Sequence, residues 1–563
     1  MKKWWKERVA YQIYPKSFLD TNGDGVGDLQ GIIQKLDYLK ELGIGILWIS
    51  PIYLSPMKDN GYDIADYYAI DPMFGTMEDM EELLAEAKKR DIYVLMDLVV
   101  NHCSSEHEWF RKALQDPKGP YGKYFIIREG KNGNPPTNWR SIFEGSVWEP
   151  IPDTPYYYYH TFAKEQPDLN WENPALRREI YDMMNFWLEK GLGGFRVDAI
   201  TYIKKDPNFP QLPVDGEDGL ASLSAAAENY PGIEVFLKEM RQETFDRYHA
   251  FSVAEMANVT PEKLKEYIGA EDGLFSSIFD FSYQDLDVQD VWYRANPITA
   301  QRIKKPLYIS QRMAQEADGV LMTILESHDQ PRVLNKWIPE ADIGYESAAM
   351  LATFNLLLRG IPLVYQGEEI GMTNRKAGSI AEYDDLCTHA QYERALQEGY
   401  SPEEALAAMN RRSRDHGRTP MQWSDVPYGG FSQVRPWFPV NENYHEINVK
   451  AQEQEGSLLS YYRKLIKLRT QGEWSRVLTE GSFEPLLAEE KDVIAYRRIL
   501  ADREVRVVLN FTAEEKEIPE KAAAGEYLAG NYPFASKAAS GSRIRLRAYE
   551  AIVTGSRLRA AKE

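Results

Sequence analysis

Three carboxylates close three separate apolar runs. "GFRVDAI" carries Asp198 two residues after Arg196, "VAEM" carries Glu255, and "ESHDQPR" carries His328 and Asp329. A fourth run, "DLVVNH", ends in Asp97, Asn101 and His102. A polar residue at a loop entrance is ordinary, and any one of these alone could be a satisfied structural group. Four such ends together are not ordinary, because carboxylates beside buried strands are rare unless paired or functional. Two carboxylates flanking a bond can share one reaction: one protonates the leaving oxygen and the other attacks or activates water. Metal binding is the competing use of Asp, Glu and His. The histidines stand on different runs with no HExxH pair, so a catalytic zinc is not expected. Arg196 shares a strand face with Asp198, so its charge should keep Asp198 ionised. Val253, Ala254 and Met256 around Glu255 should raise its pKa toward a general acid's range.

The elements that must hold these groups alternate between short apolar strands and amphipathic helices through the first 370 or so residues, the pattern of a parallel α/β fold. Eight strand candidates, "VAYQIYP", "GILWIS", "YVLMDLVV", "GFRVDAI", "FSVAEM", "LFSSIFDF", "GVLMTILESHD" and "PLVYQGEE", are the number that closes a TIM (β/α)8 barrel. In that fold the working groups sit at the C-terminal ends of the strands, where these carboxylates fall. "DLQGIIQKLDYLKELG" and "MEDMEELLAEAKKRD" read as helices between strands. The barrel is assigned to residues 1–102 and 171–478, with an excursion at about 373–423 that holds a helix in "SPEEALAAMNRRSR". Residues 103–170, rich in Gly, Pro, Asn, Trp and Tyr, are too long for a βα loop and read as an inserted small domain. Residues 479–563 alternate as strands and read as a C-terminal all-β sandwich.

With 66 basic and 86 acidic residues the chain carries a formal charge of −20, which disfavours nucleic acid and anionic membranes as partners. No run is long and apolar enough for a signal peptide or a membrane span, and two cysteines make no disulfide framework. A cytoplasmic protein, monomeric or a small homo-oligomer and needing no organic cofactor, is expected. "DTNGDGVGD", from Asp20 to Asp28, places Asp20, Asn22, Asp24 and Asp28 at positions one, three, five and nine of a calcium-type loop, with Gly25 at six. Gly31 stands where the bidentate Glu belongs, and a helix follows the loop without one preceding it, so this is not an EF-hand sensor.

Taken in order, "DLVVNH", "GFRVDAI", "VAEM" and "ESHDQPR" resemble the conserved regions of the α-amylase family of glycoside hydrolases. "QPDLN", "NGYDIADY", "YQGEEIGM" and "RTPMQW" narrow the resemblance to its oligo-1,6-glucosidase and α-glucosidase group, over the whole chain. The resemblance implies a retaining, exo-acting α-glucosidase for short oligosaccharides. Asp198 would be the nucleophile, Glu255 the acid and then base, and Asp329 the carboxylate holding the sugar's 2- and 3-hydroxyls. His102 and His328 would bind hydroxyls of the same glucose, beside Arg196. Tyr62 would stack on it, and Asp63 with Arg418 would clamp its non-reducing side. Gln166 in "QPDLN" belongs to the same substrate set, and Phe143 and Glu369 would shape the aglycone side. The resemblance also implies a structural calcium or magnesium, held by Asp20, Asn22, Asp24 and Asp28 and the carbonyl of Val26.

Three positions depart from the group. Ala199 follows the nucleophile where α-1,6 enzymes carry Val, Ser327 stands where Asn is usual, and Ala254 where Gly is usual. The smaller side chain at 199 leaves the linkage preference open. A transglycosylase or sucrose isomerase, a trehalose-6-phosphate hydrolase and a catalytically silent sugar-binding protein remain as alternatives.

Overall fold

The computed structural model describes residues 3–256, 258–533, 538–539 and 542–558. All eight apolar runs become strands: β1 Ala10–Ile13, β2 Ile46–Ile49, β3 Tyr93–Val99, β4 Gly194–Asp198, β5 Phe251–Ala254, β6 Ser277–Phe279, β7 Leu321–Thr323 and β8 Ile361–Tyr365. Each pairs in parallel with its sequence neighbours, and β8 closes on β1. The period of two sorts every strand into two faces. Ala10, Ile46, Trp48, Leu95, Phe251 and Val253 fill the lumen, while Tyr11, Leu47, Val94, Met96, Phe195 and Val197 pack outward under the helices. In β4, Phe195 and Val197 therefore point out, and Arg196 and Asp198 must point in. Gly194 opens β4 at φ 151°, and a Cβ there would lie 1.8 Å from the Phe251 carbonyl oxygen. Only glycine lets β4 and β5 close up in the register that sets Val197 beside Ala254.

The expected first helix breaks in two, α1 Leu29–Gln34 and α2 Leu36–Leu42, because Lys35 leaves helical geometry at φ −103°, ψ 5°. The second, α3 Met77–Lys89, is whole. Thr76 and Asp79 form a capping box, with acidic residues first and Lys88 and Lys89 last, as the helix dipole favours.

After β3 a small antiparallel sheet (Ile127–Glu129, Trp148–Pro150, Tyr156–Tyr159) covers the barrel mouth. Its core of Trp139, Val147, Trp148 and Tyr159 also takes in Phe209, Leu223 and Ala226, from a stretch after β4 that periodicity did not mark. Tyr158 and Tyr159 pack into opposite cores, as strand alternation requires. "QPDLN" joins this unit to the barrel. Lys205 donates to Asp168 Oδ2 (2.5 Å), Thr161 N–H donates to its Oδ1 (2.7 Å), and Leu169 N–H donates to the Asn101 carbonyl (2.8 Å).

The excursion after β8 holds α4 Leu386–Gln397, which the sequence reading did not foresee, and α5 Pro402–Arg412 in the expected place. At the C-terminus five strands, from Ser482–Leu486 to Ala551–Arg557, form an antiparallel sheet facing a three-stranded one. Val493, Ala495 and Val508 meet Ile518, Ile544 and Leu546 between the sheets, and the alternate residues Ile494, Tyr496 and Val507 join the main core. Among the described residues no helix is long and apolar enough to cross a membrane.

Candidate active site

At the C-terminal mouth of the barrel, Arg196 joins the carboxylates that three neighbouring strands deliver. Its Nη1 bonds Asp97 Oδ1 (2.7 Å) on β3 and the Asp198 carboxylate on β4, and its Nη2 forms an ion pair with Glu255 Oε2 (3.0 Å) just beyond β5. Trp48 Nε1 donates to the far oxygen of Asp97 (2.8 Å). Asp198 and Glu255 line a cavity of about 470 Å3 together with Asp59, Tyr62, His102 and Asp329. Burial pushes the Asp198 carboxyl up to about 7 against the opposing charge of Arg196, and it likewise pushes Glu255 up to about 7. The sequence expectation that Arg196 would dominate at Asp198 is therefore corrected. One guanidinium serves three carboxylates in a water-poor lumen, and desolvation outweighs it. Such a cluster holds a proton near neutral pH, because close carboxylates do not all ionise together.

Asp329 lies under the opposite balance. Burial opposes its ionisation, but His328, Arg414 and Arg418 hold it below the usual carboxylate range. Arg414 Nη1 lies 3.0 Å and Arg418 Nη2 3.4 Å from Asp329 Oδ1. The loop carrying Asp329 is fastened at both ends: Arg332 Nη1 pairs with Glu326 Oε2 (3.0 Å), Val333 N–H donates to Glu326 Oε1 (2.7 Å), and Asp329 N–H donates to Ser327 Oγ (3.1 Å). Ser327, the departure noted above, thus holds the turn that aims the carboxylate. Gln12 donates to His328 Nδ1 (2.8 Å), which leaves the ring proton on Nε2 between Tyr62 Oη (2.7 Å) and Asp329 Oδ2 (3.1 Å). Burial lowers the His328 pKa to about 3, so the ring is neutral and acts as a hydrogen-bond donor.

Of the residues expected from sequence, the cavity is lined by Asp198, Glu255, Asp329, Tyr62, His102, Phe143, Ala199 and Arg418. Arg196 and His328 face an adjoining lobe of about 330 Å3 that shares Ala199, Glu255 and Asp329 with it. Three residues are placed elsewhere. Asp63 does not meet Arg418. It is fully buried and its carboxylate accepts from Lys58 N–H (3.0 Å), Asp59 N–H (3.0 Å) and Ser55 Oγ (3.1 Å), so its lone pairs are committed to the turn. Asp59, four residues earlier, reaches the cavity instead. Gln166 lies one layer back, where its amide Nε2 contacts Asp59 Oδ2 (3.0 Å) and His102 Nε2 (3.1 Å). Glu369 is buried away from the cavity and accepts from Tyr11 Oη (2.8 Å), Tyr38 Oη (2.6 Å) and Gly367 N–H (2.9 Å), a junction in the barrel wall. The one signal for Asp59 was its place in "KDNGYDIADY", four residues before Asp63.

The profile of the α-amylase catalytic domain matches residues 12–480. The chain belongs to the α-amylase family. This glycoside hydrolase is 44% identical over 559 residues to an oligo-1,6-glucosidase of Bacillus cereus, covering 98% of this chain and 99% of that one. The structure of trehalose-6-phosphate hydrolase from Bacillus licheniformis superposes with a TM-score of 0.91 at 39% identity, covering 98% of this chain and 99% of that one. Isomaltulose synthase from Klebsiella sp. LX3 superposes equally well, at 0.91 and 35% identity, with coverage of 98% and 99%.

The loop Asp20 to Asp28 follows β1. Asp20 Oδ2 accepts from Gly25 N–H (2.9 Å) and Ser432 Oγ (2.6 Å), Asn22 Oδ1 from Asp24 N–H (2.9 Å), and Asp24 Oδ1 from Val26 N–H (2.8 Å). Asp28 caps α1 through Gly31 N–H (2.7 Å). Among the described residues no three His, Cys, Asp or Glu side chains converge on one point. The donor set nevertheless fits a hard cation: all its donors are oxygens, and each carboxylate keeps lone pairs beyond those its N–H partners use.

Proposed function

We propose that this family member is a retaining, exo-acting α-glucosidase that releases glucose from the non-reducing end of short α-glucosides. The observation that carries the reading is the single guanidinium of Arg196 bridging Asp198 and Glu255, which line one cavity together. In this reading Asp198 attacks the anomeric carbon while Glu255 protonates the leaving oxygen, and water, deprotonated by Glu255, then releases glucose with retention. Asp329, ionised and flanked by two arginines, holds hydroxyls and steadies the positive charge that grows on the sugar. Asp59, Tyr62, His102 and Arg418 close the cavity behind one glucose, which supports exo action on short chains.

The trehalose-6-phosphate alternative finds less support. Every arginine lining the cavity is already paired: Arg412 with Asp285 (2.8 Å) and Asp287 (3.2 Å), Arg414 with Asp385 Oδ1 (2.9 Å to its Nε), and Arg418 with Asp385 (3.6 Å) and Asp415 (3.6 Å). A phosphate there would compete with carboxylates that already neutralise these arginines. Product time courses on maltose, isomaltose, sucrose and trehalose 6-phosphate test the reading. Glucose from maltose or isomaltose, formed at least about tenfold faster than any product from trehalose 6-phosphate, is expected. The reverse order, or tight binding of a sugar with no turnover, would overturn it.

We also propose that calcium or magnesium binds Asp20, Asn22, Asp24, Asp28 and the Val26 carbonyl and pins this loop to the 431–437 segment, whose Ser432 hydroxyl already donates to Asp20. Bound there, the ion supplies stability and takes no part in the chemistry. A chelator should lower Tm by at least about 2 °C and leave the initial rate unchanged. Prompt loss of activity at constant Tm would contradict the assignment. A cytoplasmic location is proposed on the same footing, since short imported glucosides are the substrates such a cavity suits.

A further inference from the structure

Ala199, directly after Asp198, has φ 43° and ψ 29°, a left-handed conformation that a residue with a Cβ adopts only at a cost. It is 6% exposed and lines both lobes of the cavity. Its N–H donates to Glu255 Oε2 at 3.0 Å, and Arg196 Nη2 reaches the same oxygen at 3.0 Å. No protein group among the described residues donates to Oε1, and the Glu255 side chain keeps 31% of its surface open. A hydrogen bond and an ion pair therefore hold one oxygen of the acid and leave the other to the cavity.

We propose that the Ala199 N–H is a positioning group for Glu255: with Arg196 it reserves Oε2, so that the transferable proton sits on Oε1, facing the leaving group. The inference rests on the reading of Glu255 as acid and base. It gives residue 199 a second role, because the side chain that sets the room beside the scissile bond also decides whether the backbone can keep this conformation. Glycine enters it freely. A β-branched residue, such as the Val that α-1,6 members carry here, holds it only under strain, and in this chain relief of that strain would turn the 198–199 peptide and lengthen the N–H contact.

The charged and titratable groups facing Glu255 are Arg196, Asp198 and Asp329, with Asp97 and the Tyr202 hydroxyl further out. None of them changes in variants at 199. An N–H donated to a carboxylate favours its charged form, so losing it raises the acid's pKa.

The experiment compares pH profiles of kcat/KM on maltose for wild type, Ala199→Gly and Ala199→Val, with Ala199→Thr replacing the latter if it does not fold. The basic limb should stay in place for Ala199→Gly and move up by about one unit in the β-branched variant. On a dinitrophenyl α-glucoside, whose leaving group needs no proton, the β-branched variant should lose less than about threefold in kcat/KM. An unmoved limb in the β-branched variant, or an equal shift in Ala199→Gly, overturns the proposal. Glu255→Gln separates the two levels of inference. If it keeps kcat/KM on the activated glucoside and azide restores turnover, Glu255 is the acid and base, and an unmoved limb then sinks the positioning role alone. If it fails on both substrates with no rescue, the reading of Glu255 falls first.

Discussion

Replacing Asp198 by Asn should cut kcat/KM on maltose and isomaltose by at least about 10^4 while making the folded protein more stable at pH 8. The loss follows from chemistry, since an amide oxygen is too weak a nucleophile to form the glucosyl ester. The gain follows from linkage. The Asp198 carboxyl is raised from 3.8 to about 7 by burial, so between these values the folded protein binds a proton that the unfolded chain has released. Fewer protons on the unfolded state mean that stability falls as pH rises through this window and levels off above about 7. The amide carries no charge to desolvate, so Asp198→Asn escapes that cost. Its Tm should exceed that of wild type by about 2–4 °C at pH 8, and the gap should close as the pH falls toward 4. Retained activity would refute the nucleophile. A variant less stable than wild type at pH 8 would refute the electrostatic account and leave the nucleophile standing.

The pair Asp59 and Asp63 should separate a sugar ligand from a scaffold. Asp59 lines the cavity, and its backbone N–H is held by the Asp63 carboxylate. Asp59→Ala should lose at least about 100-fold in kcat/KM with Tm nearly unchanged, because a half-buried group at the cavity wall costs the fold little when removed. Asp63→Ala removes the acceptor of two part-buried backbone N–H groups, while the Ser55 hydroxyl keeps the residue-63 carbonyl (2.8 Å), and should destabilise by roughly 1–3 kcal/mol. Its folded fraction should stay within about tenfold of wild type. If Asp63→Ala lost more kcat/KM than Asp59→Ala at a temperature where both are folded, the assignment made here would be reversed.

The same two residues show where reading the sequence succeeds and where it stops. "KDNGYDIADY" holds three aspartates, and whether Asp59 or Asp63 enters the cavity depends on a turn closed by three hydrogen bonds to Asp63. No period marks that turn. Glu369 misled in the same way: a glutamate just past the end of β8 reads as a site residue, but the 3-10 turn Glu368–Ile370 delivers it to Tyr11 and Tyr38. Phe209 and Leu223 were missed as parts of the insertion's core because their partners in the insertion lie 50 or more residues away, beyond any local pattern.

What the sequence by itself determined is the barrel and its catalytic strand ends. Eight apolar runs at helix-separated spacing allow few other closures, and a period of two sends Arg196 and Asp198 into the lumen whatever surrounds them. The motifs in chain order carried the family in the same way. Tertiary structure alone decided the protonation of the site, the choice of Asp59 over Asp63, and the left-handed N–H of Ala199 on Glu255. Each of these depends on how many charges and donors converge from different strands on one small, water-poor volume, and that convergence is a property of the closed barrel.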